Sequence, residues 1–398
     1  MYSCGFLFIN FFFKEKNLIL RVGRPLKKRL LFFCPYHIPE NVEFNILAWL
    51  PVKSVIRFRC VCKPWDSFII SPYLISTHLN NNNSKYHGCF IRVPDYFGKK
   101  GKVCKVVCDR TYDIISEYPV PSGFDLFYFG SLSAGIVGSC NGLLCIPHYK
   151  GYCIDVIYLY NPSIRKFKRL PDSSFSERYD WVAAGFGYQS KTNDYKVIRI
   201  YCLGGLTKFG EPKIKCQYAD VYTLSSNSWR RVEISLRPNV RLHGNESISH
   251  AIFACGALHW LVDFIEYEDE LQCETKILSF DVYNEKSRDI ALPDGGRTTQ
   301  HIALPDGCSR TQHIAVFRGK LAFITVNTVN YYDPYITMWV MEEYGDVHES
   351  WNKLFSLLIE TDFFYGCTRY AGLPDALQGN FTYVESLVLL DGGTELFG

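Results

Sequence analysis

The chain has 398 residues, of which 47% are hydrophobic and 21% are charged. This length is too great for one small domain, so we expect two or more folded units. The formal net charge of +3 is too small for the concentrated basic surface that nucleic acid requires, so no nucleic-acid partner is expected. The 27 Tyr and 29 Phe residues favour β-strands, because aromatic side chains suit pleated, half-buried surfaces.

Sixteen cysteines are scattered from Cys4 to Cys367, several of them inside apolar runs. Free cysteines behave as small buried hydrophobes, so this distribution favours a reducing compartment, and we expect the cytoplasm, the nucleus or both. The pair Cys60-x-Cys62 has no second pair at zinc-ligand spacing. Neither a metal site nor a cofactor is therefore predicted.

Residues 1–35 differ from the rest of the chain. An apolar run over residues 6–13 precedes a basic stretch over residues 21–29, whereas a signal peptide carries its basic residues first. The run ends at Lys14, well short of the roughly 20 apolar residues of a membrane span. We predict an atypical, disordered extension with no membrane contact, and a mitochondrial-type leader is the alternative.

Residues 36–80 are predicted to form a small cluster of short helices. Pro39 suits a first helical position, and Pro51 and Pro64 mark the ends of the first two helices. Apolar residues recur at helical spacing in all three helices: Val42, Ile46, Trp49 and Leu50, then Val55, Phe58, Val61 and Cys62, then Trp65, Phe68 and Ile69. About 40 residues bury little apolar surface alone, so the cluster either packs on its own domain or presents a face to a partner.

The stretch 38–79 resembles the F-box of plant F-box proteins, above all in LPVKSVIRFRCVCKPW (residues 50–65) and in the Ser71-Pro72 and His78-Leu79 pairs. Ile38, Asn41-Val42 and Trp49 depart from the usual pattern. The resemblance implies that this module docks a Skp-type adaptor. The residues carried over for that interface are Pro39, Ile46, Leu47, Leu50, Pro51, Val61, Cys62 and Trp65. The alternative is that some of them only hold the helices together.

Residues 81–390 are predicted to be all β. Four segments pair a Tyr with an aromatic or branched residue seven positions later across polar or turn-forming residues: Tyr160/Phe167, Tyr222/Trp229, Tyr283/Ile290 and Tyr344/Trp351. The preceding strand pairs often start at a glycine, as at Gly142, Gly187, Gly256 and Gly319. Repeats spaced 61 or 62 residues apart indicate a propeller with degenerate blades, about six in the length available.

Segments of this region, among them GSCNGLLC (138–145), YNPSIRKFKRLP (160–171) and GALHWL (256–261), resemble the F-box-associated domain of plant F-box/kelch-repeat proteins, a degenerate kelch-like propeller. Residues 356–381 are short for this family, so the sequence does not predict whether the propeller closes, and residues 390–398 form a tail. Residues 290–301 and 302–313 are near-identical copies, and we predict that one copy loops out of the fold.

The predicted fold class is therefore α+β multidomain, with a small all-α F-box module followed by an all-β degenerate kelch-like propeller. The resemblance implies a substrate-recognition adaptor of an SCF-type cullin–RING ubiquitin ligase, whose protein substrate the sequence does not identify. No catalytic motif is present, so the chain is not expected to be an enzyme. Alternatives are a degenerate, non-functional copy and a propeller enzyme. Trp181, Tyr201, Trp260 and Trp339 are candidate substrate contacts, with blade core as the alternative reading.

Overall fold

The computed structural model divides the chain into two compact units, residues 1–81 and 82–398, which we call the helical unit and the β unit. It describes residues 40–85, 89–92, 103–108, 111, 113–119, 136–150, 153–173, 181–206, 212–234, 240–242, 248–265, 273–294, 309–329, 333–345, 349–358, 380–390 and 394–395. The predicted extension, residues 1–35, lies outside the described residues. Among the described residues, no helix is long and apolar enough to cross a membrane.

Four helices are described near the start of the chain: α1 (Glu40–Trp49), α2 (Val52–Phe58), α3 (Lys63–Ile69) and α4 (Pro72–Lys85). Prolines explain the breaks between them. Pro51 precedes α2 and Pro64 lies in the first turn of α3, where a missing N–H costs no helical hydrogen bond. The three predicted helices are confirmed, and a fourth, α4, runs through the polar stretch Asn80–Ser84, across the predicted domain boundary between residues 80 and 81.

The described part of the β unit contains 23 strands. They are β1 (Cys89–Arg92), β2 (Val103–Cys108), β3 (Ile114–Pro119), β4 (Gly138–Cys140), β5 (Leu143–Lys150), β6 (Cys153–Asn161), β7 (Lys166–Arg169), β8 (Trp181–Gln189), β9 (Asp194–Leu206), β10 (Pro212–Thr223), β11 (Ser228–Glu233), β12 (Val240–Leu242), β13 (Ile248–His250), β14 (Ile252–Ala254), β15 (Ala257–Ile265), β16 (Cys273–Asp281), β17 (Ser287–Ile290), β18 (Ser309–Phe317), β19 (Lys320–Val329), β20 (Asp333–Tyr344), β21 (Glu349–Leu358), β22 (Asn380–Thr382) and β23 (Thr394–Glu395).

These strands form five sheets, which we number along the chain. The strand orders are β22-β1-β2-β3 in the first, β23-β7-β6-β5-β4 in the second, β11-β10-β9-β8-β13 in the third, β12-β15-β16-β17 in the fourth, where β14 also pairs with β15, and β18-β19-β20-β21 in the fifth. Almost every pairing is antiparallel, the exception being β13 with β8. The described residues thus hold five sheets where about six were predicted.

Two kinds of tight turn connect paired strands in the described residues. Three turns place two successive residues at positive φ, and in each the second is a predicted glycine, Gly142, Gly256 or Gly319. Consecutive positive φ values are those of type I′ turns, whose twist matches paired strands and which suit glycine. Gly187, the fourth predicted glycine, instead lies inside β8. The other turns have a single residue at positive φ: Arg165, Asn193, Asn227 and Glu285.

The predicted strand–turn–strand units are confirmed in three of the four Tyr repeats, and in two of these the two named residues are direct cross-strand partners. Tyr160 lies opposite Phe167, and Tyr222 lies opposite Trp229. In the fourth sheet, however, Ile290 pairs with Ile277, and in the fifth Trp351 pairs with Met341. The positive-φ turn residue fixes the register of the fourth-sheet hairpin, where Glu285 places Phe280 opposite Ser287 and leaves Tyr283 in the turn. Tyr283 is accordingly exposed.

Apolar side chains alternate along the strands and fill the spaces between successive sheets. In β5, Leu144 and Ile146 pack against the first sheet, while Leu143 and Cys145 pack against the third. Further clusters join the third sheet to the fourth and the fourth to the fifth. This two-sided burial follows from the period of two along a strand, and it is consistent with the propeller that the repeats predicted.

A tryptophan on the outermost strand of the third sheet, and another on that of the fifth, each donates a hydrogen bond to the chain just after the preceding sheet. Trp229 Nε1 donates to the carbonyl of Pro171, 2.6 Å away, just after the second sheet. Trp351 Nε1 donates to the carbonyl of Ala291, 3.0 Å away, just after the fourth. Both are residues that the repeat singled out, so the sequence pattern marks a real structural role.

The C-terminal part of the chain returns to the first two sheets. β22 pairs with β1, and β23 pairs with β7. Residues 359–379, most of the short segment that the sequence left open, lie outside the described residues. In the duplicated region, residues 295–308 also lie outside them, but residues 309–313 of the second copy belong to β18 rather than to a loop.

Candidate functional site

The helical unit is held together by a small apolar core. Its fully buried side chains come from all four helices: Leu47, Ala48, Val52, Val55, Ile69, Leu74 and Leu79. Helical spacing places Val52 and Val55 on one face of α2, with the exposed Lys53 and Arg57 away from it. The core therefore fixes which apolar residues point inward and leaves the others at the surface.

Two side chains of α4 donate hydrogen bonds to backbone carbonyls at the end of α1. His78 is fully buried, and its Nε2 donates to the carbonyl of Leu50, 2.8 Å away. Asn81 Nδ2 donates to the carbonyl of Ala48 at 3.1 Å. The last carbonyls of a helix have no partner inside the helix, so these bonds satisfy groups that burial would otherwise leave unpaired. They also hold the Leu50–Pro51 corner in place.

The same corner begins the second helix. The carbonyl of Pro51 accepts hydrogen bonds from the backbone N–H of Ser54 at 2.9 Å and of Val55 at 3.1 Å. Pro51 is exposed and Leu50 is half-buried. The geometry thus presents an apolar, backbone-fixed corner between α1 and α2, and this corner would lose little conformational entropy when an apolar partner binds.

The turn between α2 and α3 presents a second apolar group, Val61, whose side chain is 51% exposed. Two contacts support this turn. Arg59 Nε lies 2.7 Å from Asp66 Oδ1, and the rings of Phe58 and Trp65 meet edge to face with centroids 5.4 Å apart. The aromatic pair is the stronger support, because a partly exposed ion pair contributes little.

The structure distributes the predicted adaptor residues over three environments. Leu47 is 1% exposed and belongs to the core, which corrects its assignment as a surface contact. Ile46, Leu50, Cys62 and Trp65 are half-buried, whereas Pro51 and Val61 are exposed. Pro39 lies outside the described residues. The α1–α2 corner and the α2–α3 turn are therefore the parts of the set that a partner reaches most easily.

Sequence reasoning missed several exposed apolar side chains of the helical unit. Trp49 is 59% exposed and Tyr73 is 67% exposed, and Val42 and Ile70 are also at the surface. Tyr73 stacks on Phe44 with ring centroids 4.7 Å apart. Val42 and Trp49 were read as parts of one apolar stripe, and their spacing of seven gave no sign that this edge of the stripe faces solvent.

Three of the four predicted substrate contacts of the β unit, Tyr201, Trp260 and Trp339, lie in its interior. Trp260 is fully buried between the third and fourth sheets, where its Nε1 donates to the carbonyl of Ala184 at 3.2 Å. Trp339 packs on Phe323 between the fourth and fifth sheets. Burial raises the pKa of Tyr201 to about 12. These three side chains therefore support the core reading. Trp181 belongs to β8, but its side chain lies outside the described residues.

Two buried charged side chains of the β unit, Asp220 and Lys196, pair with a charged group on another strand or sheet. Asp220 has no exposed surface and accepts from Arg231 Nε at 3.1 Å and from Ser173 Oγ at 2.9 Å. Lys196 Nζ lies 2.7 Å from Glu285 Oε1 and also donates to a backbone carbonyl. Within the described part of the chain, no group of three or more His, Cys, Asp or Glu side chains is placed to hold a metal ion. These ionic groups thus join strands and sheets.

Comparison with known proteins agrees with this architecture. Residues 36–77 match the family model of the F-box domain, and residues 98–373 match that of the F-box associated beta propeller domain. Among relatives from Arabidopsis thaliana, F-box protein CPR1 is 27% identical over 80% of this chain and 73% of its own length. F-box/kelch-repeat protein At3g23880 is 26% identical over 83% of this chain and 82% of its own length. The chain therefore belongs to the family of F-box proteins that carry an F-box-associated β-propeller domain.

Proposed function

We propose that this protein is the substrate-receptor subunit of an SCF-type cullin–RING ubiquitin ligase, in which the helical unit binds a Skp-type adaptor and the β unit binds the target protein. The combination of an F-box with an F-box-associated propeller implies the receptor role, and proteins of this family are typically adaptors, not catalysts. Holding a target beside the ubiquitin carrier raises its effective concentration, so the receptor itself needs no catalytic group. The reducing cytoplasm or nucleus is the proposed compartment.

The exposed apolar groups of the helical unit carry the adaptor proposal. Pro51 and Val61 are at the surface although both are apolar, and the adjoining Leu50 is only half-buried. Their backbone is fixed by hydrogen bonds at both turns. A preorganised apolar patch of this kind favours association, because few side chains lose freedom when the partner covers it. Trp65, Ile46 and Cys62 are proposed to border the same interface.

The test is binding of the purified full-length chain to a purified Skp-type adaptor by isothermal titration calorimetry. The double variant with Leu50→Ala and Pro51→Ala, and the single variant Val61→Ala, are expected to raise Kd by about tenfold or more, as central apolar contacts do. Ile70→Ala is the matched control, since Ile70 is also an exposed apolar residue of the helical unit but is not in the carried-over set.

Thermal unfolding followed by circular dichroism separates binding from folding, because replacing the exposed Val61 is expected to leave Tm nearly unchanged. If the double variant binds the adaptor as tightly as the natural chain, or if Ile70→Ala weakens binding equally, the interface assignment is wrong.

A further inference from the structure

The end of the β unit forms a strap, residues 380–390, that crosses two sheets. It begins as β22, which pairs with β1 in the first sheet. Residues 383–390 then run without belonging to any strand, and β23 afterwards pairs with β7 in the second sheet. The one described ladder within the strap is therefore the three residues of β22, and β23 lies beyond the strap. Side chains hold residues 383–390.

Asn161 is the main side chain that holds the strap. It is fully buried, and its Nδ2 donates to the carbonyls of Ser386 at 3.1 Å and Val388 at 2.9 Å. Its Oδ1 accepts the backbone N–H of Ser163 at 3.0 Å. One amide thus contacts two alternate carbonyls of an extended segment, and its loss would leave both without this donor in a buried site.

Ser163 adds a second set of contacts. Its Oγ accepts the backbone N–H of Ser386 at 3.1 Å and lies 2.8 Å from the hydroxyl of Tyr383. On the second sheet, Ser139 Oγ donates to the carbonyl of Thr382 at 2.7 Å. The strap is therefore attached chiefly by hydrogen bonds from the turn after β6 and from β4.

The strap also fits closely against the turn between β4 and β5. Gly142 has φ +78°, and a Cβ there would lie 2.2 Å from the carbonyl oxygen of Val384 and 2.7 Å from Cβ of Ser386. Only a residue without a side chain leaves room for the strap in this position.

Three buried thiols lie in the two cores that the strap completes. Tyr383 packs in the same cluster as Cys104, between the first and second sheets. Leu390 packs in the same cluster as Cys140 and Cys145, between the second and third sheets. Burial raises the pKa of Cys104 and Cys140 to about 12, and it raises that of Cys145 further. Buried in these clusters, the thiols hold almost no reactive thiolate near neutral pH.

We propose that the strap opens as a unit before the rest of the β unit unfolds, and that its opening uncovers Cys104, Cys140 and Cys145. The described ladder of the strap, β22 with β1, spans three residues, whereas β15 and β16 pair over nine. Segments with short ladders open at lower free energy than central strands. The strap is thus a conformational gate on the reactivity of these thiols.

The test is pulsed labelling of the native full-length chain with N-ethylmaleimide, read by mass spectrometry of peptides that contain each cysteine, beside amide hydrogen exchange of β15 and β16. The three thiols are expected to become accessible to N-ethylmaleimide more often than the β15 and β16 amides become accessible to hydrogen exchange. Ser163→Ala, which removes two strap contacts, is expected to speed their labelling about tenfold or more without changing β15 and β16 exchange. Asn161→Ala is expected to speed it further.

Ser356→Ala is the matched control. Its hydroxyl also makes one side-chain hydrogen bond, to Thr337 at 2.8 Å, but in the fifth sheet. It is expected to leave labelling of the three thiols unchanged. The proposal is wrong if the thiols become accessible only as often as the β15 and β16 amides. It is also wrong if Ser163→Ala accelerates thiol labelling and β15 and β16 amide exchange in parallel, because the strap then does not open as a separate unit.

Discussion

Acid is expected to destabilise the β unit through His259, a histidine with no exposed surface between the fourth and fifth sheets. Its Nδ1 lies 3.2 Å from the carbonyl of Ile252, which only accepts, so Nδ1 carries the proton. Its Nε2 then accepts from the hydroxyl of Tyr344, 2.8 Å away, and that hydroxyl oxygen lies 2.8 Å from Ser279 Oγ. The neutral imidazole satisfies both neighbours, and burial lowers its pKa to about 4, with the nearby Arg288 acting in the same direction.

The direction of the pH effect on stability follows from the pKa of His259 in the folded and in the unfolded chain. In the unfolded chain His259 has its ordinary pKa of 6.5, whereas in the folded chain the value is about 4. Between these values the unfolded chain takes up a proton that the folded chain excludes, so the free energy of unfolding decreases as the pH falls. Each pKa unit corresponds to 1.36 kcal/mol, so the loss between pH 6.5 and pH 4 is about 3 kcal/mol. Below pH 4 this contribution no longer changes.

The assay is urea unfolding at several pH values between 7 and 4, for the natural chain and for His259→Gln. Carboxylates lower the stability of both proteins at acidic pH, so the difference between their pH profiles isolates the imidazole. The natural chain is expected to lose about 3 kcal/mol more than the variant over this interval. His313→Gln is the control and is expected to keep the pH profile of the natural chain. Parallel profiles for the natural chain and His259→Gln would refute the reasoning.

Three further substitutions test packing. Gly185→Ala is expected to lower the stability of the β unit by about 1–3 kcal/mol in urea unfolding, because the added Cβ would lie 2.7 Å from a fourth-sheet side chain. Gly138→Ala, whose Cβ would meet its nearest atom at 3.4 Å, is the control and is expected to change stability little. Leu47→Ala is expected to cost the helical unit about 2–5 kcal/mol by circular dichroism, and an undiminished Tm would contradict its core position. Lys196→Met is expected to lower the free energy of unfolding by about 2 kcal/mol, since it removes a buried partner of Glu285. An unchanged free energy would show that this pair does not hold the third and fourth sheets together.

The hairpins show how far local sequence reasoning reaches. The glycines at positions 142, 256 and 319 were recognised as recurring starts of strand pairs, and in the structure each takes the positive φ that favours glycine. The register around Glu285 was missed, because its positive φ occurs at a residue type that gives no signal in the sequence. Tyr283 was read as a strand anchor for that reason and is instead an exposed turn residue.

The sequence predicted the helices that carry the candidate adaptor residues, but not how exposed each of those residues is. Proline positions and helical periodicity place three helices correctly, and the F-box pattern selects the residues between them. Periodicity placed Val61 in the apolar stripe of the second helix, but α2 ends at Phe58 and Val61 lies exposed in the turn that follows. Leu47 was not in the predicted stripe of α1, yet it is buried in the core.

The sequence by itself determined the order of a helical module and a β unit, because prolines, glycines and the periods of apolar residues act over a few positions. Only the tertiary structure decided which sheet each distant segment joins. Residues 380–390 carry no local pattern that points to Asn161, more than 200 positions earlier, yet two backbone carbonyls of this strap meet that one amide. Such pairings depend on the packing of whole sheets, so no local signal in the sequence records them.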